Sequence, residues 1–338
     1  MNNSTLDVEK PSAESGPRPD LVNYALRFAL LAGFVVMVVF FAVAAPRFLT
    51  YSNVINIAQS SAVLLIISVP FAIVVITGKV DLSVGSTLGL AGVVTGVLIT
   101  NGTGWLTAAI AGVLVGALVG AVNGAMISLL NFSPIVVTLG MLQVVRGIAE
   151  RVTTQPPSGF GSGMAFLGRG ALFGIPILVW ISLLILAAGL LFLHFMPSGR
   201  HVYGVGVNAE ASFLSGVKTH RLSFLTFVAV GAAAGLGGVL YAARLDSAPP
   251  TTLGDGLELQ VLTAVLLGGI AFTGGRGTMF GVVLGVAFLG VLQNGLLLLN
   301  VGNSGQKLAT GAVLVIAAGL EEFGIKRGRI RSLIKRSK

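Results

Sequence analysis

The sequence predicts an all-α fold: a polytopic membrane helical bundle of about ten transmembrane helices. Composition points there first, because the chain is 54% hydrophobic and only 10% charged, where a soluble globular domain carries about 25% charged residues. The mean hydropathy is +0.94. The apolar residues are also gathered into long runs between short polar segments, the pattern that a hydrocarbon core about 30 Å thick imposes on helices.

Taken in order, residues 1–20 (MNNSTLDVEKPSAESGPRPD) are polar and of mixed charge, and read as a disordered cytoplasmic tail. The first apolar run, 21–45, is too long for the apolar part of a signal peptide and is not followed by a small-residue cleavage site. It reads as a retained helix. Further runs fall at 57–77, 82–100, 105–130, 135–150, 171–194, 222–243, 257–273, 278–300 and 306–323. The fifth and eighth are short against the roughly 20 residues of a full crossing, so a tilted, broken or re-entrant segment is expected at either. The transmembrane domain is thus expected to span 21–323, followed by a basic cytoplasmic tail at 324–338.

Lys and Arg set the orientation. With the N-terminus inside and ten crossings, the inner segments carry Lys10, Arg18, Arg27, Lys79, Arg200, Lys218, Arg221, Arg276 and the seven basic residues after Phe323, fifteen of the 21 in the chain. Arg47, Arg146, Arg151, Arg169, Arg244 and Lys307 fall outside or near the outer ends. Both termini are therefore expected to be cytoplasmic. The net charge of +9 is accounted for by this topology, and no nucleic-acid partner is expected. The absence of Cys excludes disulfides and thiolate metal sites, and three His leave no zinc constellation.

Glycines recur at helix-packing intervals: Gly112, Gly116, Gly120 and Gly124 in the fourth run, Gly231 and Gly235 in the seventh, Gly281 and Gly285 in the ninth. Such spacing lets backbones approach closely. It serves either sliding helices or plain close packing, with packing favoured.

The longest polar interruption, 196–223 (MPSGRHVYGVGVNAEASFLSGVKTHRLS), must present a surface to water, since irregular backbone is not tolerated in hydrocarbon. Within it, Asn208 to Gly216 reads as one short helix. Asn208 suits the N-cap, Glu210 the first turn, Phe213 and Leu214 an apolar knob, and Gly216 the close. A short cytoplasmic helix of this kind is suited to docking a soluble partner; the plainer alternative is a solvated loop.

Charges within membrane spans usually mark ion coupling, and the middles of these runs have none. Asp81, next to Leu82 and Ser83, is placed to cap the third helix, and Asp255 with Glu258 has capping-box spacing. Capping is favoured over solute contact for each. A proton- or sodium-driven carrier is disfavoured, no filter or charged ring suggests a channel, and neither 274–277 (GGRG) nor 302–307 (GNSGQK) meets the spacing of a phosphate-binding loop. Energy from ATP would have to come from a partner.

Four ordered blocks carry a family resemblance. Residues 77–86 (TGKVDLSVGS) resemble the TGGIDLSVGS signature of permease subunits of ribose-type sugar ATP-binding-cassette (ABC) importers, which share a superfamily with branched-chain amino-acid permeases. Residues 134–141 followed by 146–149 resemble the family's PFIVTLG and RGIA block. Residues 206–217 resemble its coupling loop, including Gly206, and 254–257, 267–269 and 293–296 its C-terminal pattern. The chain departs from the pattern at Lys79, Ser212 and 260–263. On this resemblance Asp81, Ser83, Gly85, Asp255 and Glu258 belong to family motifs. It implies an ABC importer permease in a bacterial inner membrane, with no cofactor of its own, ATP and Mg being held by an ATPase subunit. It also implies an extracytoplasmic solute-binding protein and a second permease copy or paralogue as partners, within membrane lipid. A conduit for neutral, hydroxylated solutes calls for neutral amides, and Gln59, Gln143, Gln293 and Asn294 are the candidates, with Ser60 and Ser61 nearby. The competing role for each is an interhelical tie.

Overall fold

The computed structural model describes the backbone of residues 21–336 and the side chains of residues 30–319. The tail expected at 1–20 lies outside the described residues, as do the side chains of Arg27 and of the basic C-terminal segment. The helices are α1 (Leu21–Ala44), α2 (Tyr51–Ile76), α3 (Val84–Thr100), α4 (Trp105–Ser128), α5 (Pro134–Val152), α6 (Gly161–Arg169), α7 (Ile177–Phe195), α8 (Pro197–Val207), α9 (Ala209–Leu214), α10 (Thr219–Leu245), α11 (Leu257–Leu267), α12 (Met279–Leu298) and α13 (Asn303–Arg336). Strands β1 (Ala171–Leu172) and β2 (Ile175–Pro176) form a two-residue antiparallel hairpin ahead of α7.

Each of the ten apolar runs coincides with a helix, namely α1 to α5, α7 and α10 to α13. Among the described residues, α2, α4, α7, α10 and α12 are long and apolar enough to cross a membrane. Of the two short runs, α5 is 19 residues long, about 28 Å of helix at 1.5 Å per residue. The other, α11, has only 11 residues, about 16 Å, half the hydrocarbon thickness. It is flanked by the irregular segments 246–256 and 268–278, in which Ala248, Leu253, Gly254, Ile270 and Gly274 are buried while Thr251, Thr252, Asp255 and Arg276 are exposed. The last helix continues unbroken past Phe323 to Arg336.

The segment at 196–223 departs from the expectation of one short helix in an irregular loop. Two helices, α8 and α9, occupy it, and α10 already begins at Thr219. Three glycines (Gly199, Gly204, Gly206) hide α8 in the sequence, whereas Pro197 sits at its first turn, where proline is favoured. Burial of Val202 and Val205 stabilises it instead, as tertiary packing does for most short helices. A second unexpected helix, α6, lies in the segment expected outside the membrane. That segment is tied to the end of α10, where Asp246 Oδ1 accepts from the Phe160 amide at 2.9 Å and the Ala248 amide donates to Pro157 O at 3.0 Å.

The core is organised around α10, which packs against α4, α3 and α2. The glycine ladders make this close approach possible. A Cβ on Gly116 would lie 2.6 Å from the Gly235 Cα, and one on Gly231 would lie 2.7 Å from the Gly120 Cα. Backbone therefore meets backbone across α4 and α10, and Gly281 and Gly285 of α12 meet Gly268 and Ala264 in the same way. The ladders are the close-packed kind.

Candidate functional site

The surface helix α9 is built from its own sequence. Asn208 has extended backbone (φ −158°) and its Oδ1 accepts from the Ala211 amide at 2.9 Å, which satisfies one of the orphan donors of the first turn. Glu210 lies in that first turn, where its charge complements the helix dipole. Gly216 takes φ +86° just past the end, a conformation that any side chain would strain. No residue of α9 is buried, and Phe213 and Leu214 are 59% and 79% exposed. The Phe213 ring meets His220 edge-on with centroids 6.5 Å apart. Together with Leu129, Lys218, Arg221 and Phe224 it lines an open concavity, an apolar floor with a basic rim.

Gly206 does not belong to this helix. It sits near the end of α8 and faces inward, where a Cβ would run into the Ile76 carbonyl and the Gly275 amide. The α8 helix also anchors through Tyr203, whose hydroxyl donates to Gly277 O at 3.1 Å. Burial pushes the Tyr203 phenol up from its ordinary range.

The four amide candidates separate by environment. Gln143 lies exposed on the outward face of α5, among exposed Val136, Leu139, Gly140, Val144 and Gly147, and a Cβ on Gly140 or Gly147 would meet nothing. Gln59 and Gln293 are half-buried. Asn294 is an interhelical tie: its Nδ2 donates to Asn53 Oδ1 at 2.8 Å, and Asn53 Nδ2 donates back to Asn294 Oδ1 at 2.8 Å. The reciprocal pair forms the interhelical tie that was the competing role for Asn294, and it uses one of that residue's two amide hydrogens. Ser60 accepts from Arg244 at 3.1 Å.

The motif residues are placed differently from the capping roles expected. The N-cap position of α3 is Ser83, and Asp81 lies two residues before it, almost wholly buried. Its Oδ1 accepts from the Ser83 amide at 2.9 Å and the Ser83 hydroxyl at 2.6 Å. Asn123 of α4 donates to Ser83 Oγ at 2.8 Å and faces both Asp81 oxygens at 3.4 Å. Asp81 thus folds the turn before α3 and pins it to α4. At α11 the N-cap position falls on Gly256 with φ +74°, so the expected Asp255–Glu258 capping box does not form. Asp255 instead pairs with Lys307 of α13 at 2.9 Å. Glu258 lies against α3 at Gly85, where a Cβ would collide with its carboxylate and with the Gly254 carbonyl. Arg146 of α5 holds the same 246–256 segment, donating to Leu253 O at 2.8 Å and Pro250 O at 3.2 Å.

Sequence reasoning missed three of these residues, Asn53, Asn123 and Tyr203. The signal for Asn123 was present, since it is the one amide within the glycine-rich α4. Among the described residues, no cluster of His, Cys, Asp or Glu is arranged to hold a metal ion.

Residues 53–318 match the family model described as branched-chain amino acid transport system / permease component. The chain is 35% identical to the ribose import permease protein of Bacillus subtilis over 292 residues, 86% of this chain and 90% of that one. It is 34% identical to the L-arabinose ABC transporter permease protein of Azospirillum brasilense, covering 93% and 91% of the two chains. To the D-allose transport system permease protein of Escherichia coli it is 32% identical, covering 94% and 98%. No solved structure matches.

Proposed function

The chain belongs to the permease-component family of the branched-chain amino acid transport system, and we propose that it is the membrane subunit of an ATP-binding-cassette importer for a monosaccharide or related polyol. The observation that carries this reading is identity of 32% to 35% along nearly the whole chain to permeases named for ribose, arabinose and allose. The chain itself is no enzyme; a partner subunit hydrolyses ATP with its Mg. A solute-binding protein delivers the sugar on the outer face of the bacterial inner membrane, and both termini lie in the cytoplasm.

In this reading α9 is the helix that docks the ATPase. Its support is local: a capped helix none of whose residues is buried, with two large apolar side chains exposed beside Lys218 and Arg221. Gln143 contacts solute at the junction with a second permease copy. An amide on an otherwise apolar helix face is costly against lipid, and the open glycines beside it leave room for a neighbouring helix.

The test is uptake of labelled D-ribose, L-arabinose and D-allose by cells producing this permease with its ATPase and binding protein. Unlabelled pentoses, hexoses, polyols and leucine serve as competitors. Sugar uptake that is blocked by sugars and abolished without the ATPase is expected. Competition by leucine alone would move the chain to the amino-acid branch of its family, and uptake that survives loss of the ATPase would overturn the ABC reading.

A further inference from the structure

The Gly-Gly-Arg-Gly turn at 274–277 lacks the spacing of a phosphate-binding loop, yet three of its four residues adopt positive φ, at +85°, +72° and +141°. Its packing gives it another use. The Gly275 amide donates to Ile76 O, the last residue of α2, at 2.8 Å. Gly274 lies against Gly78, so closely that a Cβ on it would be 2.7 Å from the Gly78 amide nitrogen. Gly206 of α8 fits against both Ile76 and Gly275, with no room for a Cβ at this junction. Tyr203, one turn earlier on α8, donates to Gly277 O at 3.1 Å. Val207 closes the contact, since a Cβ on Gly275 would be 2.6 Å from its methyl.

Three backbones thus meet at one point: the end of α8, the end of α2 where the chain turns toward Asp81 and α3, and the turn that joins α11 to α12. The first of these leads directly into α9 through Asn208. We infer that α8 and the 274–277 turn are a rigid transmission joint, which carries displacement of α9 to the short helix α11 and to the turn before α3, with Gly206 and Tyr203 as its positioning residues. Glycines seat it because backbone-to-backbone contact leaves no side chain to rearrange, and a close-packed junction transmits shifts rather than absorbing them. The inference rests on the reading of α9 as the ATPase-docking helix.

The natural absence of Cys makes spin labelling direct. Ser215→Cys beside α9, Arg276→Cys in the turn and Ser158→Cys on the opposite side as reference are all exposed positions. In the purified complex with its ATPase, pairwise distances are measured by electron-spin resonance without nucleotide and after vanadate trapping. The expected result is an unchanged 215–276 distance while both sites move relative to 158 by more than about 2 Å. Tyr203→Phe should lower solute moved per ATP by about fivefold, the size expected for one lost hydrogen bond, with assembly unchanged. A 215–276 distance that changes while α9 moves overturns the joint and leaves the docking reading intact. A static α9 overturns both. Full coupling in Tyr203→Phe removes that side chain from the joint and, with Gly206→Ala equally coupled, overturns the inference.

Discussion

Replacing Asn294 by Leu tests whether this amide ties helices or lines a conduit, because the two roles give opposite patterns in a double-mutant cycle with Asn53. Each amide donates one 2.8 Å bond to the other across α2 and α12. Hydrogen bonds between membrane helices average about 0.6 kcal/mol and reach about 1.7, so the reciprocal pair contributes about 1 to 3 kcal/mol. Asn53 also donates to Phe48 O at 2.8 Å and is buried at 7% exposure. Asn294→Leu therefore strands the Asn53 carbonyl oxygen and costs about 1 to 3 kcal/mol, the penalty of an unsatisfied buried polar group. Asn53→Leu strands Asn294 in turn. The double variant removes both amides together and should be less destabilised than the sum of the singles by at least about 1 kcal/mol. Unfolding of the detergent-solubilised protein by graded SDS, followed by circular dichroism, measures all four corners of the cycle. Transport should fall only as stability falls. Additive stability effects, or transport lost in Asn294→Leu at unchanged stability, would refute the tie.

Two further outcomes follow from the same structure. Gly116→Leu places a large side chain against the Gly231 and Gly235 backbone; it should destabilise by at least the roughly 1 to 3 kcal/mol of overpacking, read as a lowered melting temperature, whereas Gly140→Leu on the open face of α5 should leave the isolated subunit's melting temperature unchanged. Gln143→Leu should reduce solute uptake at least tenfold while ATPase binding is retained, and wild-type uptake in that variant would remove Gln143 from the path.

Most of the helices were legible in the sequence because lipid imposes a simple local rule: every span must satisfy its own backbone, so long apolar runs and helices coincide. Likewise, the Asn208 cap, the Gly216 stop and the glycine ladders depend on side-chain chemistry within one or two turns. The ladders state that backbones will touch, and only the tertiary structure says that those of α4 meet α10. Polar residues behave differently. An amide in a membrane protein takes its role from whatever it faces, and Asn294 faces a residue 241 positions away, just as Asn123 meets Ser83 across 40 positions. Capping motifs at Asp81 and Asp255 read plausibly on spacing, yet a buried turn pinned to α4 and an ion pair to Lys307 claimed these carboxylates instead. The α8 helix shows the same limit from the other side: its glycines argue against helix locally, and its buried valines and its seat on Ile76 and Gly275 decide in favour. Composition and periodicity determined the long apolar helices, though not α6 or α8. The partner of each polar group, and which glycines are filled, were decided by contacts between segments far apart in the chain, because those energies exist only once the helices have packed.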